Sequence, residues 1–250
     1  MTPACGRTIP LSLPRKWICD LLEFSQRVPT VAAERVLDVR ALAAARKKVS
    51  SQPRWCSVIM KSFGLASQCI PELRRSYLEF PYSHLYEHPS SVASVVIQRD
   101  FLGEPAVLTG LIQAPETLPL AELELRMHHL NCLPFEDIGS YRRLIRTTKL
   151  PRPLRRLVWW YGLSVSGRTK SKVFGTFSCN SVAKMQIQMR QFVTPITTSL
   201  YYDAVSKAGE LTVQMIIDHR VFDASVVGRA LGELESILNS EMVEEVLGMP

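Results

Sequence analysis

Residues Leu211 to Asn239 constrain the fold more than any other stretch of this chain. Leu211-Thr212-Val213-Gln214-Met215-Ile216-Ile217 alternates well enough for a strand, and Ala224 to Asn239 spaces its apolar residues as a helix does. A strand feeding directly into an amphipathic helix calls for a sheet with helices layered on it. The turn between them, Asp218-His219-Arg220-Val221-Phe222-Asp223, puts a histidine at the strand end with an aspartate four residues on. Histidine titrates near neutrality and the strand fixes its direction, so the arrangement suits general-base chemistry. The H-x-x-x-D spacing alone is weak evidence, because any chain with five histidines offers chance matches.

The rest of the chain alternates helical and strand patterns. Helical spacing marks Arg15 to Gln26, where Trp17, Leu21 and Phe24 share a face, then Val39 to Val49, Cys56 to Gln68 and Leu118 to Leu130. Strand patterns cover Thr30 to Val39, Val92 to Gln98, Ala106 to Leu111, Lys172 to Cys179 and Thr197 to Asp203. The sum is a single α/β domain over residues 1–250, with 1–12 as a flexible arm and 139–172 as a basic, aromatic insertion. Neither G-x-G-x-x-G nor a Walker-type lysine loop occurs, which argues against a dinucleotide fold or a P-loop.

Net charge is +7, and it is concentrated. From Ile138 to Tyr202 no Asp or Glu occurs, while twelve Lys and Arg do. Such a block implies an acidic partner, whether cofactor phosphates, an acidic carrier protein, nucleic acid or an anionic membrane surface, against the alternative of a solvated, solubilising face. Within it, Leu150 to Tyr161 combines prolines, arginines and Trp159-Trp160-Tyr161. Two readings stand for this run: a basic helix lying on a membrane or carrier within 141–172, or tryptophans packed inward with arginines facing water. Nothing resembles the basic-aromatic interleaving of single-strand binders, so nucleic acid is not expected. The six cysteines show no C-x-x-C and no paired histidine spacing, which argues against zinc or a disulfide framework. Cys179 lies in a motif described next, but nothing local would lower its thiol pKa. Without a signal peptide or a long apolar span, the expected location is cytoplasmic.

Three colinear segments carry a resemblance. Asp218-His219-Arg220-Val221-Phe222-Asp223-Ala224-Ser225 resembles the D-H-R-x-x-D-G signature of dihydrolipoamide acyltransferase catalytic domains, the core subunits of 2-oxo acid dehydrogenase complexes. Chloramphenicol acetyltransferases carry a related motif. Phe174-Gly175-Thr176-Phe177-Ser178-Cys179-Asn180-Ser181 is similar to the family's G-T-F-x-x-S strand, and the segment from Arg15 to Val31 to its opening helix. The likeness spans roughly residues 10–245.

The resemblance implies a chloramphenicol acetyltransferase-like two-layer sandwich, a mixed sheet covered by helices, with its active site at the interface of a homotrimer. It implies a coenzyme A-dependent acyltransferase moving an acyl group from a thioester to a thiol, hydroxyl or amine. His219 would be the general base. Asn180 would stand where the family places a serine that donates to the oxyanion, with Ser178 and Ser181 as alternative donors. Asp223 would be structural, paired with Arg15. Lys170 and Lys172 are candidate contacts for the coenzyme A phosphates. Acyl-coenzyme A would be a substrate, with no metal and no covalent lipoyl group, since no lipoylation site or linker occurs. Two departures, Asn180 for serine and Ala224 for glycine, also admit a trimeric scaffold or binding protein that has lost efficient turnover.

Overall fold

The computed structural model describes residues 6–181 and 193–249. The strand expected from the C-terminal alternation is β8 (Glu210–Asp218), in which Leu211, Val213, Met215 and Ile217 are buried. It pairs antiparallel on one side with β1 (Thr30–Asp38) and on the other with β7 (Thr198–Tyr202). Beyond β7 the sheet continues through β6 (Phe177–Asn180), β4 (Val92–Phe101) and β5 (Glu104–Gln113), giving the order β1-β8-β7-β6-β4-β5. The short β6 runs parallel to both neighbours, so the sheet is mixed.

Five helices follow the periodicities that anticipate them: α1 (Leu13–Ser25), α2 (Arg40–Lys48), α3 (Trp55–Cys69), α4 (Leu120–Cys132) and, later in the chain, α8 (Ala224–Asn239). Helix α6 (Arg152–Ser164) falls on the basic aromatic run, while α5 (Gly139–Thr148), α7 (Gly167–Phe174) and α9 (Glu241–Leu247) form where the sequence reading places no helix. One layer forms as α3 packs on α8, α4 and β6, α8 on β1, and α2 on α9. Phe63 of α3 meets Phe177 of β6 at 4.7 Å between rings. A second helical cluster forms where α5 packs on β5, α7 on β4 and β5, and α1 on α5 and α6. Residues 139–172, read as an insertion, are the helices of this cluster.

Two local expectations change. Lys172 to Cys179 is not one strand: α7 runs to Phe174, and only Phe177 to Asn180 is extended. The break is Gly175, at φ 87°, where a Cβ would lie 2.9 Å from the Val92 carbonyl oxygen. Only glycine fits that combination of left-handed backbone and close approach. A separate hairpin, β2 (Arg75–Leu78) with β3 (His84–Glu87), lies in a stretch without a clear sequence pattern. Among the described residues, no helix is long and apolar enough to cross a membrane.

Candidate active site

His219 begins where β8 stops. Its backbone N–H donates to the Pro29 carbonyl just ahead of β1, at 3.0 Å, so the residue is held by the sheet while its side chain stays about half exposed. Its Nδ1 lies 3.2 Å from Asp223 Oδ1. A carboxylate on Nδ1 selects the tautomer that keeps the proton there and leaves the Nε2 lone pair for chemistry. Asp223 itself is 77% exposed.

The second aspartate of the motif has the opposite environment. Asp218 is buried and accepts from the Arg220 backbone N–H at 3.1 Å, from Nε at 2.9 Å and from Nη2 at 2.8 Å. The Arg220 guanidinium stacks over the Tyr77 ring, 4.1 Å from its centroid, and stands 3.8 Å from Glu79. This side-on pairing, closed over an aromatic face, freezes the two residues flanking His219. The expected Asp223–Arg15 pair does not form among the described residues. Arg15 is exposed near the start of α1, where its N–H is capped by Ser12, and the side chain beside Asp223 is that of His219. The structural role given to Asp223 falls to Asp218 instead, a role foreshadowed by a carboxylate two residues before an arginine at a strand end.

Lys170 lies beneath the same turn. It is almost fully buried and its Nζ donates to the Tyr77 carbonyl at 3.1 Å. Burial pushes its ammonium down to about 8, partly opposed by the nearby Asp218 carboxylate. A group so enclosed supports the turn from below and does not present itself to the phosphates expected of it. Lys172 is exposed.

Asn180 ends β6 as a buried residue. Ladder pairing between β4 and β6 stops at Ser94 and Ser178, and the Asn180 side chain takes over, with Oδ1 accepting from the Val96 N–H at 2.9 Å. The same amide hydrogen-bonds the Tyr201 phenol, which burial pushes well above its usual range. Ser178 is buried on the same strand, and Ser181 Oγ donates to the Tyr202 carbonyl at 2.8 Å. Cys179 and Cys56 face one another in the core. Their hydrogen bond and burial push the Cys179 thiol well up, which makes it a poor nucleophile.

Sheet register separates these groups within one chain. Asn180 lies level with Tyr201 and so with Gln214, four residues back along β8 from Asp218 and two strands away. Ordinary strand rise and spacing put Asn180 and His219, one residue further on, roughly 19 Å apart. His219 and Asn180 therefore do not share a reacting centre in a single copy.

The basic run resolves with features of both readings. Trp159 is buried between Trp17 at 4.6 Å and Phe174 at 4.9 Å, ring to ring, while Leu154, Leu157, Val158 and Tyr161 stay exposed on α6. Arg155 does not face water: it is buried and paired with Asp20 of α1, and Arg156 pairs with Glu23. Among the described residues, no group of three or more His, Cys, Asp or Glu is placed to hold a metal ion.

No protein-family model and no curated protein matches the chain. Solved structures do. The probable dihydrolipoamide acetyltransferase from Listeria monocytogenes 4b F2365 is 16% identical, with 96% of this chain and 95% of that chain covered at a TM-score of 0.68. The dihydrolipoamide acetyltransferase of Azotobacter vinelandii is 15% identical, over 96% and 93% of the two chains, at 0.67. In that enzyme a serine, a histidine and an asparagine have been examined for their roles in the catalytic mechanism. A truncated catalytic core of the 2-oxoacid dehydrogenase multienzyme complex from Thermoplasma acidophilum is 13% identical, over 94% and 99%, at 0.62. The fold of this chain is that of these acetyltransferase cores, the α/β sandwich expected from the sequence.

Proposed function

We propose that this protein is an acyltransferase that moves an acyl group from coenzyme A to a thiol, hydroxyl or amine acceptor, with His219 as general base. The observation that carries the reading is the His219 imidazole, fixed at a strand end, oriented through Nδ1 by Asp223, and left about half exposed. The histidine and asparagine examined in the Azotobacter enzyme stand four residues apart, as His219 and Asp223 do. Nε2 takes the acceptor's proton as the acceptor heteroatom bonds to the thioester carbonyl carbon. The tetrahedral intermediate then collapses, the carbon–sulfur bond breaks, and the coenzyme thiolate recovers the proton from His219. Lys172, exposed on α7, is the candidate cation for a nucleotide phosphate.

Assembly belongs to the same proposal. With His219 and Asn180 far apart in one copy, an oxyanion donor on that strand would have to come from a second subunit. A homotrimer, with acceptor and donor entering between subunits, meets that need. A weakly active or inactive trimeric scaffold is the second reading, favoured by one observation: the Asn180 amide is already engaged by Val96 and Tyr201.

The test is release of free thiol from acyl-coenzyme A with a panel of acceptors. His219→Ala should slow it about 10²–10⁴-fold, the range for loss of a general base. Equal rates for the two proteins would remove His219 from the chemistry and leave the scaffold reading.

A further inference from the structure

The helical cluster forms an open-sided cavity of about 400 Å³ that lies outside the His219 turn. Its size falls in the range of small-molecule sites, typically ~300–1,000 Å³. Helical spacing builds it: Ser140, Arg143, Leu144 and Thr147 project from one side of α5, while Val158, Tyr161 and Gly162 face it from α6. Trp17 and Trp159 close one wall, and Val173 and Phe174 of α7 another. Gly162 matters to the shape, since a Cβ there would press within 3.1 Å of the Phe174 ring.

Two properties define what fits. The walls are apolar, and three of the α6 residues around them, Leu157, Val158 and Tyr161, are 45–56% exposed. Leaving them uncovered is unfavourable, so a ligand chain lying against them gains by removing that surface from water. The charge is one-sided. Arg143 is the ionisable cation on the lining, no carboxylate lines the cavity, and the sequence from 138 to 202 contains none. The acids nearest in the cluster, Asp20 and Glu23 of α1, are held by Arg155 and Arg156. The hydroxyls of Ser140, Thr147 and Thr169 also line the cavity, and the Arg143 guanidinium donates one N–H to the Lys172 carbonyl, leaving its other donors for a ligand.

We infer that this cavity binds a single-chain anionic amphiphile, a fatty acid, with its chain between α5, α6 and α7 and its carboxylate on Arg143. An apolar pocket with one cation and a few hydroxyls at its rim matches an alkyl chain ending in an anionic oxygen acceptor. The site does not include His219, and binding does not depend on acyl transfer.

Laurate and dodecanol titrated into the whole protein, followed by quenching of tryptophan fluorescence and by calorimetry, test this. Laurate should bind more tightly than dodecanol. Arg143→Gln should weaken laurate about tenfold, the worth of a charge-assisted hydrogen bond, and leave dodecanol unchanged. Val158→Trp, at a half-exposed position that tolerates substitution, should fill the cavity and abolish both, with an unchanged melting temperature. His219→Ala should bind laurate as the parent does, so failure of the transfer chemistry would not touch this result. Laurate affinity unchanged in Val158→Trp, or equal binding of laurate and dodecanol, would overturn the inference. So would absence of binding in a protein that Val158→Asp converts from oligomer to monomer, because the face would then be an interface between copies.

Discussion

The C-terminal turn and the helical cluster around α6 both rely on arginine–aspartate pairs, and they obtain the acid in opposite ways. At the turn the acid is two residues away: Asp218 grips Arg220, and the pair stiffens the backbone around an exposed histidine. In the cluster the nearest acids lie in another part of the chain, so Arg155 and Arg156 reach Asp20 and Glu23 of α1. The acid-free block is therefore less positive at its surface than its sequence implies. Arg155 is neutralised inside, Lys170 is buried, and the exposed charge falls to residues such as Arg142, Arg146 and Lys149. Local pairing positions chemistry, whereas distant pairing fastens one helix to another.

The largest expected effect breaks the distant pair. Asp20→Ala leaves Arg155 buried and uncompensated, and should lower unfolding free energy by ~3–5 kcal/mol in urea titration. A loss no larger than that of an exposed ion pair would mean water reaches Arg155 and the fastening is superficial.

Lys170 sharpens the comparison from below the turn. Its folded pKa of about 8 lies under the ordinary 10.5, so between those values the unfolded chain holds more protons. Wild-type stability should therefore gain from a rise in pH across that window. Lys170→Met removes the gain, and wild type should improve on the variant by roughly 2–3 kcal/mol between pH 7 and pH 10. A difference independent of pH would show that the ammonium is solvated.

The smallest effect on stability belongs to the exposed half of the histidine turn. Asp223→Asn should cost less than about 1 kcal/mol, because so open a pair contributes little. It should instead shift the pH profile of thiol release, since the carboxylate that holds the imidazole tautomer is gone. An unchanged profile would remove Asp223 from the orientation of His219.

How far these regions could be read from sequence follows the same division. β1, β8 and α8 appear within a residue or two of their expected limits; in β8 and α8 burial of one face writes a strong period into the chain, whereas β1 buries only Leu37. The motif alone points to Asp223 as the structural carboxylate and gives Asp218 no role: both flank the histidine turn, and only the sheet decides which carboxylate turns inward. The burial of Arg155 was not legible, since its partner lies 135 residues away and no local pattern records it. Asn180 was singled out by its place in the G-T-F strand, but its bond to Val96 depends on where the β4–β6 ladder ends. The hairpin of β2 and β3, four residues a side, is too short for alternation to stand out.

The fastening of α1 to α6 has a consequence for how the chain is made. During synthesis α1 emerges early, with Trp17 and Phe24 on its apolar side and Asp20 awaiting a partner. Translation at ~5–20 residues per second delays Arg155 and Trp159 by on the order of ten seconds. Such long-range contacts slow folding, because a long loop must close before they form. Until then the nascent chain displays a helix with an unmatched face, the kind of surface on which chaperones act.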